Sequence, residues 1–229
     1  MTKNFYYFHL LILILSAALF SCDKNPVPEF HHEYFGMEKG RYVVYDVIEI
    51  SHDDNLNQHD TLIYQLKTYW ADTFVDNQGR TAREFKRSVR LTENDPWILQ
   101  DLWTGLIDGI RAELIEENQR VVKLVFAPTQ NKNWDANAYN QYSEQNCFYR
   151  DIHSDTLIDN VTFDPTLVVE QEQFNSIIDS VHRYEMYAKD IGLIIKYERD
   201  LHYQINAQSQ LYLNEGTECY YRFVSTGIE

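Results

Sequence analysis

The strongest constraint on the fold is an alternation of apolar and polar side chains between Leu193 and Asn206. Apolar residues hold every second position, broken by Arg199 on the apolar side and Ile194 on the polar side. A period of two is typical of a β-strand with one buried and one wet face. Looser alternation or β-like runs cover 42–50, 62–70, 84–91, 111–116, 120–126 and 219–224.

Turn signals separate these segments at 76–79, 117–119 and 190–192. The only helical spacing of note, over 174–181, is long enough for one or two turns. Consecutive strands with short turns predict a mainly β protein: one antiparallel meander that forms a curved sheet, an open barrel or a sandwich. No Pro/Gly-rich linker divides the chain, which favours a single domain over 34–229.

The N-terminus carries a secretory signal. Lys3 precedes an apolar run that ends in Leu19-Phe20-Ser21-Cys22, too short and wrongly flanked for a spanning helix. A cysteine after Leu-x-Ser resembles a bacterial lipobox. It predicts removal of 1–21 and lipid attachment at Cys22; the alternative is an ordinary secreted protein cleaved nearby.

The segment 22–33 predicts a tether. It begins polar and has two prolines within eight residues of the cysteine, as expected of a semi-rigid spacer. Stable anchoring requires more than one acyl chain, and a diacylated, N-acylated cysteine meets that condition. The expected membrane partner is therefore a bilayer, bound through Cys22.

The formal net charge of −15 restricts the partners. A nucleic-acid binder needs a basic surface, so no nucleic-acid partner is expected. Electrostatic adhesion to anionic lipid is also excluded.

Cys147 and Cys219 are the other cysteines. An exported compartment permits a disulfide between them. Two buried free thiols are the alternative, because sequence alone gives no distance between the sulfur atoms.

Aromatic residues make up 14% of the chain. Most are expected in the core or in cross-strand pairs, and the others are candidates to line a groove for an apolar or sugar ligand. Trp97, Trp103 and Trp134 are the candidate ligand contacts, with Trp97, Leu99 and Trp103 expected near one strand face. The polar loop 130–145, which holds Trp134, is either functional or covers a sheet edge.

Three segments carry a resemblance to a family. Residues 34–45 are similar to a YFPL-x-x-G-x-x-W-x-Y opening, 134–140 to a W-x-x-N segment, and 185–198 to YA-x-GVGL-x-x-x-E. Gly36-Met37 replaces Pro-Leu, and Asp190 replaces a glycine. Together they resemble a broad class of Bacteroidetes envelope lipoproteins. The resemblance implies a lipid-handling fold of the lipoprotein-carrier type around an apolar cavity, and it supplies no catalytic residues.

The resemblance and the lipobox together predict a localisation in the cell envelope. The protein is expected to be lipid-anchored in the outer membrane, on its periplasmic or its surface face. Three Asp-Ser/Thr-aliphatic tripeptides resemble the periplasmic O-glycosylation signal of such bacteria. They make Thr61, Thr156 and Ser180 the candidate glycosylation sites.

No catalytic or cofactor-binding motif is present: G-x-S-x-G, HExxH, a Walker loop and GxGxxG are all missing from the sequence. His52, Asp53, Asp54, His59 and Asp60 form a His/Asp-rich loop without a recognised ligand spacing. We therefore expect a solvated loop and predict no metal, no cofactor and no enzymatic activity.

The predicted function is that of a non-catalytic binding or assembly component, whose partner is an envelope protein. The alternative is a carrier or sensor of a hydrophobic ligand. An internal cavity lined by Trp and Leu would favour the carrier. A solid core with an exposed aromatic patch would favour partner binding.

Overall fold

The structure is a computed structural model that describes residues 28–229. It is nearly all antiparallel β, as the alternation predicts. The elements are two 3₁₀ helices, η1 (His32–Phe35) and η2 (Asp54–Leu56), and strands β1 (Arg41–Asp53), β2 (Gln58–Val75), β3 (Thr81–Arg90), β4 (Ile98–Asp108), β5 (Arg111–Glu116), β6 (Gln119–Val125), β7 (Asn133–Asp135), β8 (Asn146–Ile158), β9 (Val161–Asn175), β10 (Asp179–Ala188), β11 (Gly192–Ile205) and β12 (Leu211–Ile228).

All twelve strands belong to one sheet, in the order β6-β5-β4-β3-β2-β1-β12-β11-β10-β9-β8-β7. Strands that follow one another in the chain are neighbours in the sheet, as in a meander, except β6 and β7, which form its two edges. The first strand also pairs with the last, from Arg41 opposite Ile228 to Asp53 opposite Glu215. The sheet curves into a nearly closed, barrel-like shape. Its two edge strands, β6 and β7, follow one another in the sequence.

The seam between these edges is closed by the loop around β7. The Val122 amide donates to the Ala136 carbonyl at 2.9 Å, and the Trp134 indole donates to the Val122 carbonyl at 3.0 Å. Tyr149 Oη bonds both the amide and the carbonyl of Val125. Of the two alternatives for 130–145, the structure shows the loop covering a sheet edge, which protects β6 from pairing with another chain.

The predicted strand over 193–206 is β11, but its faces differ from the prediction. Met186 lies opposite Ile195 while Tyr187 lies opposite Leu193, so Ile194 is the extra residue of a β-bulge. A bulge exchanges the two faces of a strand beyond it. Lys196 therefore points into the interior, against the predicted wet face, and Tyr197 lies on the outer face.

A second bulge corrects the expectation for β4. Asp101 lies opposite Arg87, yet Leu99 lies opposite Ser88. The shift turns Leu99 outward, where 57% of it is exposed. Trp97 precedes the strand, so it does not share a strand face with Trp103.

The spacing over 174–181, read as one or two helical turns, belongs instead to the ends of β9 and β10 and the turn between them.

One end of the barrel is plugged by η1. Tyr34 and Phe35 are buried, the His32 ring lies edge-on to Phe126 at 4.4 Å, and the Glu33 carbonyl accepts from the Asp190 amide. η1 is thus part of the folded domain, although His32 and Glu33 fall within the predicted tether 22–33. A Cβ on Gly36 would lie 2.3 Å from the Ile191 carbonyl oxygen, so the plug seats only with glycine there.

Candidate functional site

An internal cavity of about 220 Å³ lies next to the plug. It is lined by Phe35, Arg41, Val43, Tyr45, Leu66, Thr68, Trp70, Phe85, Arg87, Trp103, Leu114, Glu116, Lys123, Glu185, Tyr187, Ile191, Gly192, Leu193, Lys196 and Tyr221. We call this space the inner cavity. These residues come from strands on both sides of the β1–β12 pairing and from the turn before β11.

Four aromatic rings form one wall of the inner cavity. Neighbouring ring centroids are 5.4 Å apart for Phe35 and Trp70, 4.3 Å for Trp70 and Phe85, and 6.4 Å for Phe85 and Trp103. Register explains the row, because Trp70 lies opposite Phe85 on β3 and Phe85 lies opposite Trp103 on β4. Gly105 makes room for the Trp70 ring, since a Cβ there would lie 2.3 Å from Trp70 Cη2.

The other side of the inner cavity is charged. Lys123 Nζ lies 2.6 Å from Glu185 Oε1 and 3.6 Å from Glu116 Oε1. Tyr187 donates to the second Glu185 oxygen at 2.5 Å. Lys196 pairs with Glu198 at 3.1 Å. We call Glu116, Lys123, Glu185 and Lys196 the charged layer.

The charged layer separates two spaces. Its four residues also line a second cavity of about 330 Å³, which we call the polar cavity. The polar cavity adds amide and charged groups such as Gln171, Arg183, Glu198 and Asp200. An open polar pocket near His52, His202 and Thr217 lies at the end of the barrel opposite the plug.

The charges in this layer hold one another ionised. Burial alone would raise the pKa of Glu185, but the Lys123 and Lys196 ammonium groups outweigh it and lower that pKa. Burial would lower the pKa of Lys123, yet Glu185 and Glu116 raise it. Burial and the adjacent Glu185 charge both raise the pKa of Tyr187. Since both Glu185 oxygens are occupied and Lys123 keeps its proton, neither is suited to act as base or nucleophile at neutral pH.

Of the three predicted ligand-contact tryptophans, only Trp103 lines the inner cavity. Trp97 lies in the β3–β4 connection under the Arg90 guanidinium, 4.4 Å from its ring. Trp134 stacks on Tyr149 at 4.8 Å and belongs to the packed core at the seam. The prediction missed Trp70 and Phe85, whose positions in the alternating runs of β2 and β3 were the available signal.

Cys147 and Cys219 both carry free thiols. They lie on β8 and β12, which are separated by three strands in the sheet, so of the two alternatives the structure favours two thiols. Burial is the main cause that raises the pKa of Cys147 to about 12 and that of Cys219 to about 11.

The candidate glycosylation sites differ in exposure. Thr61 is exposed on β2. Thr156 is half-buried with its hydroxyl 2.9 Å from Thr166 Oγ1, and Ser180 donates to Asn175 at 2.9 Å. Cys22, the predicted lipid site, lies outside the described residues.

The predicted His/Asp-rich loop is mostly strand: His52 and Asp53 end β1, His59 and Asp60 lie at the start of β2, and only Asp54 lies in the η2 connection. His52 Nδ1 lies 3.1 Å from His59 Nδ1. Within residues 28–229, no group of three or more His, Cys, Asp or Glu side chains is placed to hold a metal ion. No helix in that range is long and apolar enough to cross a membrane.

A second feature lies on the outer face of the sheet. Tyr184, Tyr197, Tyr220, Ile48 and Ile63 follow one another across β10, β11, β12, β1 and β2. The rings of the first two lie 5.5 Å apart, and Ile63 is 62% exposed. We call these five residues the outer row.

Neither a protein-family model nor a curated protein matches this chain.

Proposed function

We propose that this protein is a non-catalytic, lipid-anchored envelope protein that binds a small apolar molecule in its inner cavity. The observation that carries the proposal is a space of about 220 Å³ beside four aromatic rings inside the sheet. Protein interiors are close-packed, and voids larger than a water molecule are few. An apolar cavity of about 150 Å³ is enough to bind benzene.

The charged layer supports binding rather than catalysis. Lys123 is paired with Glu185 and Glu116, Lys196 is paired with Glu198, and no histidine lines the inner cavity. Paired groups of this kind fix the position and shape of a pocket wall, whereas a catalytic base needs an oxygen free to accept a proton.

The position of the plug supports an orientation on the membrane. The described chain begins at this end, where Phe30 lies beside His32 and His32 lies beside Phe126. Only five residues separate Cys22 from Pro28, and an extended chain spans at most about 3.6 Å per residue. A lipid on Cys22 would therefore hold the plugged end towards the bilayer and the polar pocket away from it.

The anchor is tested by Cys22→Ser. Loss of the acylated sulfur removes the apolar chains that hold the protein on a bilayer, so we expect the variant in the soluble fraction after cell lysis and wild type in the membrane pellet. A Cys22→Ser chain that stays in the pellet contradicts the anchor.

The binding function is tested by filling the cavity. Full-chain Cys22→Ser protein, free of detergent, is titrated with indole and followed by calorimetry and thermal shift. Leu193→Trp places an indole in the inner cavity, and Leu102→Trp makes the same change at a position 58% exposed on the outer face of β4. We expect Leu193→Trp to abolish binding and Leu102→Trp to retain it. Absence of binding to the parent, together with an extract free of small molecules, overturns the proposal.

The outer row favours a second candidate function, docking of another envelope protein. Its three tyrosines are partly buried and its two isoleucines are exposed, and clustered apolar side chains at a surface mark interaction sites. Crosslinking in intact cells tests this, with Ile63→Glu as the variant and Val75→Glu, which is similarly exposed but outside the row, as the control. An adduct lost with the first change alone supports docking.

A further inference from the structure

We propose that the inner cavity selects an aromatic carboxylic acid over its neutral analogues. The proposal rests on the binding function proposed above and adds the chemical class of the ligand. Three observations carry it: the balance of charges around the cavity, an arginine nitrogen without a partner, and the size and aromatic character of the wall.

The lining of the inner cavity is positive although the protein is strongly acidic. Four cationic side chains and two carboxylates line it, namely Arg41, Arg87, Lys123, Lys196, Glu116 and Glu185. The protein as a whole carries a formal charge of −15. The carboxylates that pair with three of these cations, Glu38, Asp101 and Glu198, are absent from the cavity lining. These partners contact the cations, so an anion in the cavity would be attracted at short range by the charged N–H donors of the lining rather than by a net positive field.

Arg41 offers an unused donor. Its guanidinium pairs with Glu38 through Nη2, while the buried Nε has no hydrogen-bond partner among the described residues. A buried donor without an acceptor costs about 1–3 kcal/mol. A ligand carboxylate beside Arg41 would satisfy it with a charge-assisted hydrogen bond.

Arg87 places a second fixed cation beside the aromatic wall. Its guanidinium lies 4.1 Å from the Trp103 ring centroid and is held by Asp101 at 2.5 Å and by the Tyr221 hydroxyl at 3.1 Å. Phe85 and Trp70 line the same cavity beside this cation–π pair, so an aryl ring bound there would contact aromatic side chains as well as the cation.

The volume sets the size of the ligand. About 220 Å³ accommodates a ring system with a short side chain, since about 150 Å³ holds benzene. It is below the roughly 300–1,000 Å³ of pockets for drug-sized ligands. An aryl acid with one or two rings meets both the volume and the charge, whereas a diacyl lipid exceeds the volume.

The experiment compares three probes on full-chain Cys22→Ser protein: indole-3-acetate, indole-3-acetamide and indole. The first two differ in charge and hardly in shape. We expect the acid to bind at least tenfold tighter than the amide at pH 7, and its affinity to fall as NaCl is raised while that of the amide stays constant.

The matched variants are Arg41→Gln and Arg83→Gln. Both arginines have a buried Nε without a partner, but only Arg41 lines the inner cavity. We expect Arg41→Gln to weaken the acid about tenfold and leave the amide unchanged, with Arg83→Gln binding as the parent does. Arg41→Lys, which keeps the charge, should retain part of the preference.

Each outcome has one meaning. Equal affinity of acid and amide, or binding of indole alone, overturns the selection and leaves the proposed binding function standing. Failure of all three probes to bind counts against both proposals. A preference for the acid that Arg41→Gln and Arg83→Gln reduce equally shows that Arg41 is not its source and overturns the geometry argued above.

Discussion

The interior of the sheet has two halves that are stabilised by different interactions. On the plug side of the charged layer, aromatic rings stack on one another and leave about 220 Å³ unfilled. On the other side, charged and amide groups line about 330 Å³. The apolar half keeps its shape through ring packing, whereas the polar half and the layer itself keep theirs through ion pairs. The difference predicts opposite responses to the loss of a charge and to the addition of a methyl group.

The largest expected effect is on the charged layer. Lys123→Met leaves the Glu185 carboxylate, 2% exposed, without its closest cation. Breaking a buried pair from one side destabilises a protein by about 3–5 kcal/mol. We therefore expect urea unfolding to show a loss of about that size.

The matched control removes a charge whose partners are exposed. Arg183→Met breaks pairs with Glu172 and Asp200, which are 44% and 52% exposed, and such pairs contribute about 0–1 kcal/mol. The double variant Lys123→Met/Glu185→Leu should recover much of the loss. Equal losses for Lys123→Met and Arg183→Met would show that the charged layer is no more than a solvated surface network.

The apolar half is most sensitive at Gly105. A methyl group there meets the Trp70 ring at 2.3 Å, so Gly105→Ala must displace the indole that forms the cavity wall. Overpacking of this kind costs about 1–3 kcal/mol, and we expect a shift of tryptophan emission and weaker indole binding. Gly109→Ala meets no atom within 4 Å of its Cβ and is strained only through its φ of +60°, so it should leave emission unchanged even where it lowers stability. An unchanged spectrum in Gly105→Ala would contradict the close contact between Gly105 and the Trp70 ring.

A smaller effect should appear in the pH dependence of stability. The pKa of Glu185 is lowered in the folded protein from the ordinary value of 4.5. A lowered folded pKa stabilises the protein above the unfolded value, and this stability is lost as pH falls through the folded one. Wild type should thus lose unfolding free energy more steeply below pH 4.5 than Glu185→Gln does. Parallel curves for the two proteins would contradict the paired state of the carboxylate.

The sequence predicts the individual strands of this fold better than it predicts how the sheet closes into a barrel-like shape. Alternation alone places β11 within a residue of its bounds and β5 at its bounds. Pairing of β1 with β12 has no local signal, because it joins the two ends of the chain. The inner charges were not predicted because polar positions of a strand normally face water, whereas β-bulges at Ile194 and Lys123 change which side of the sheet the neighbouring residues face. Ile194 is the one apolar residue on the polar side of the alternation in β11, and it is the residue at which the bulge lies.

The smallest expected effect is a difference in reactivity between the two thiols, Cys147 and Cys219. Cys147 is 2% exposed and lines the polar cavity, and Cys219 is partly exposed on β12. The thiolate is the reactive form, and burial raises the pKa from 9.0 to about 12 for Cys147 and about 11 for Cys219. At pH 8, we expect Cys147 to react with Ellman's reagent about tenfold more slowly than Cys219, and both about a hundredfold or more slower than in the unfolded chain. Cys147→Ser and Cys219→Ser, each in the Cys22→Ser background, separate the two rates. Two thiols should titrate in guanidinium without reductant; none would show that the sulfur atoms are bridged, and equal native rates would show that the two thiols share one environment.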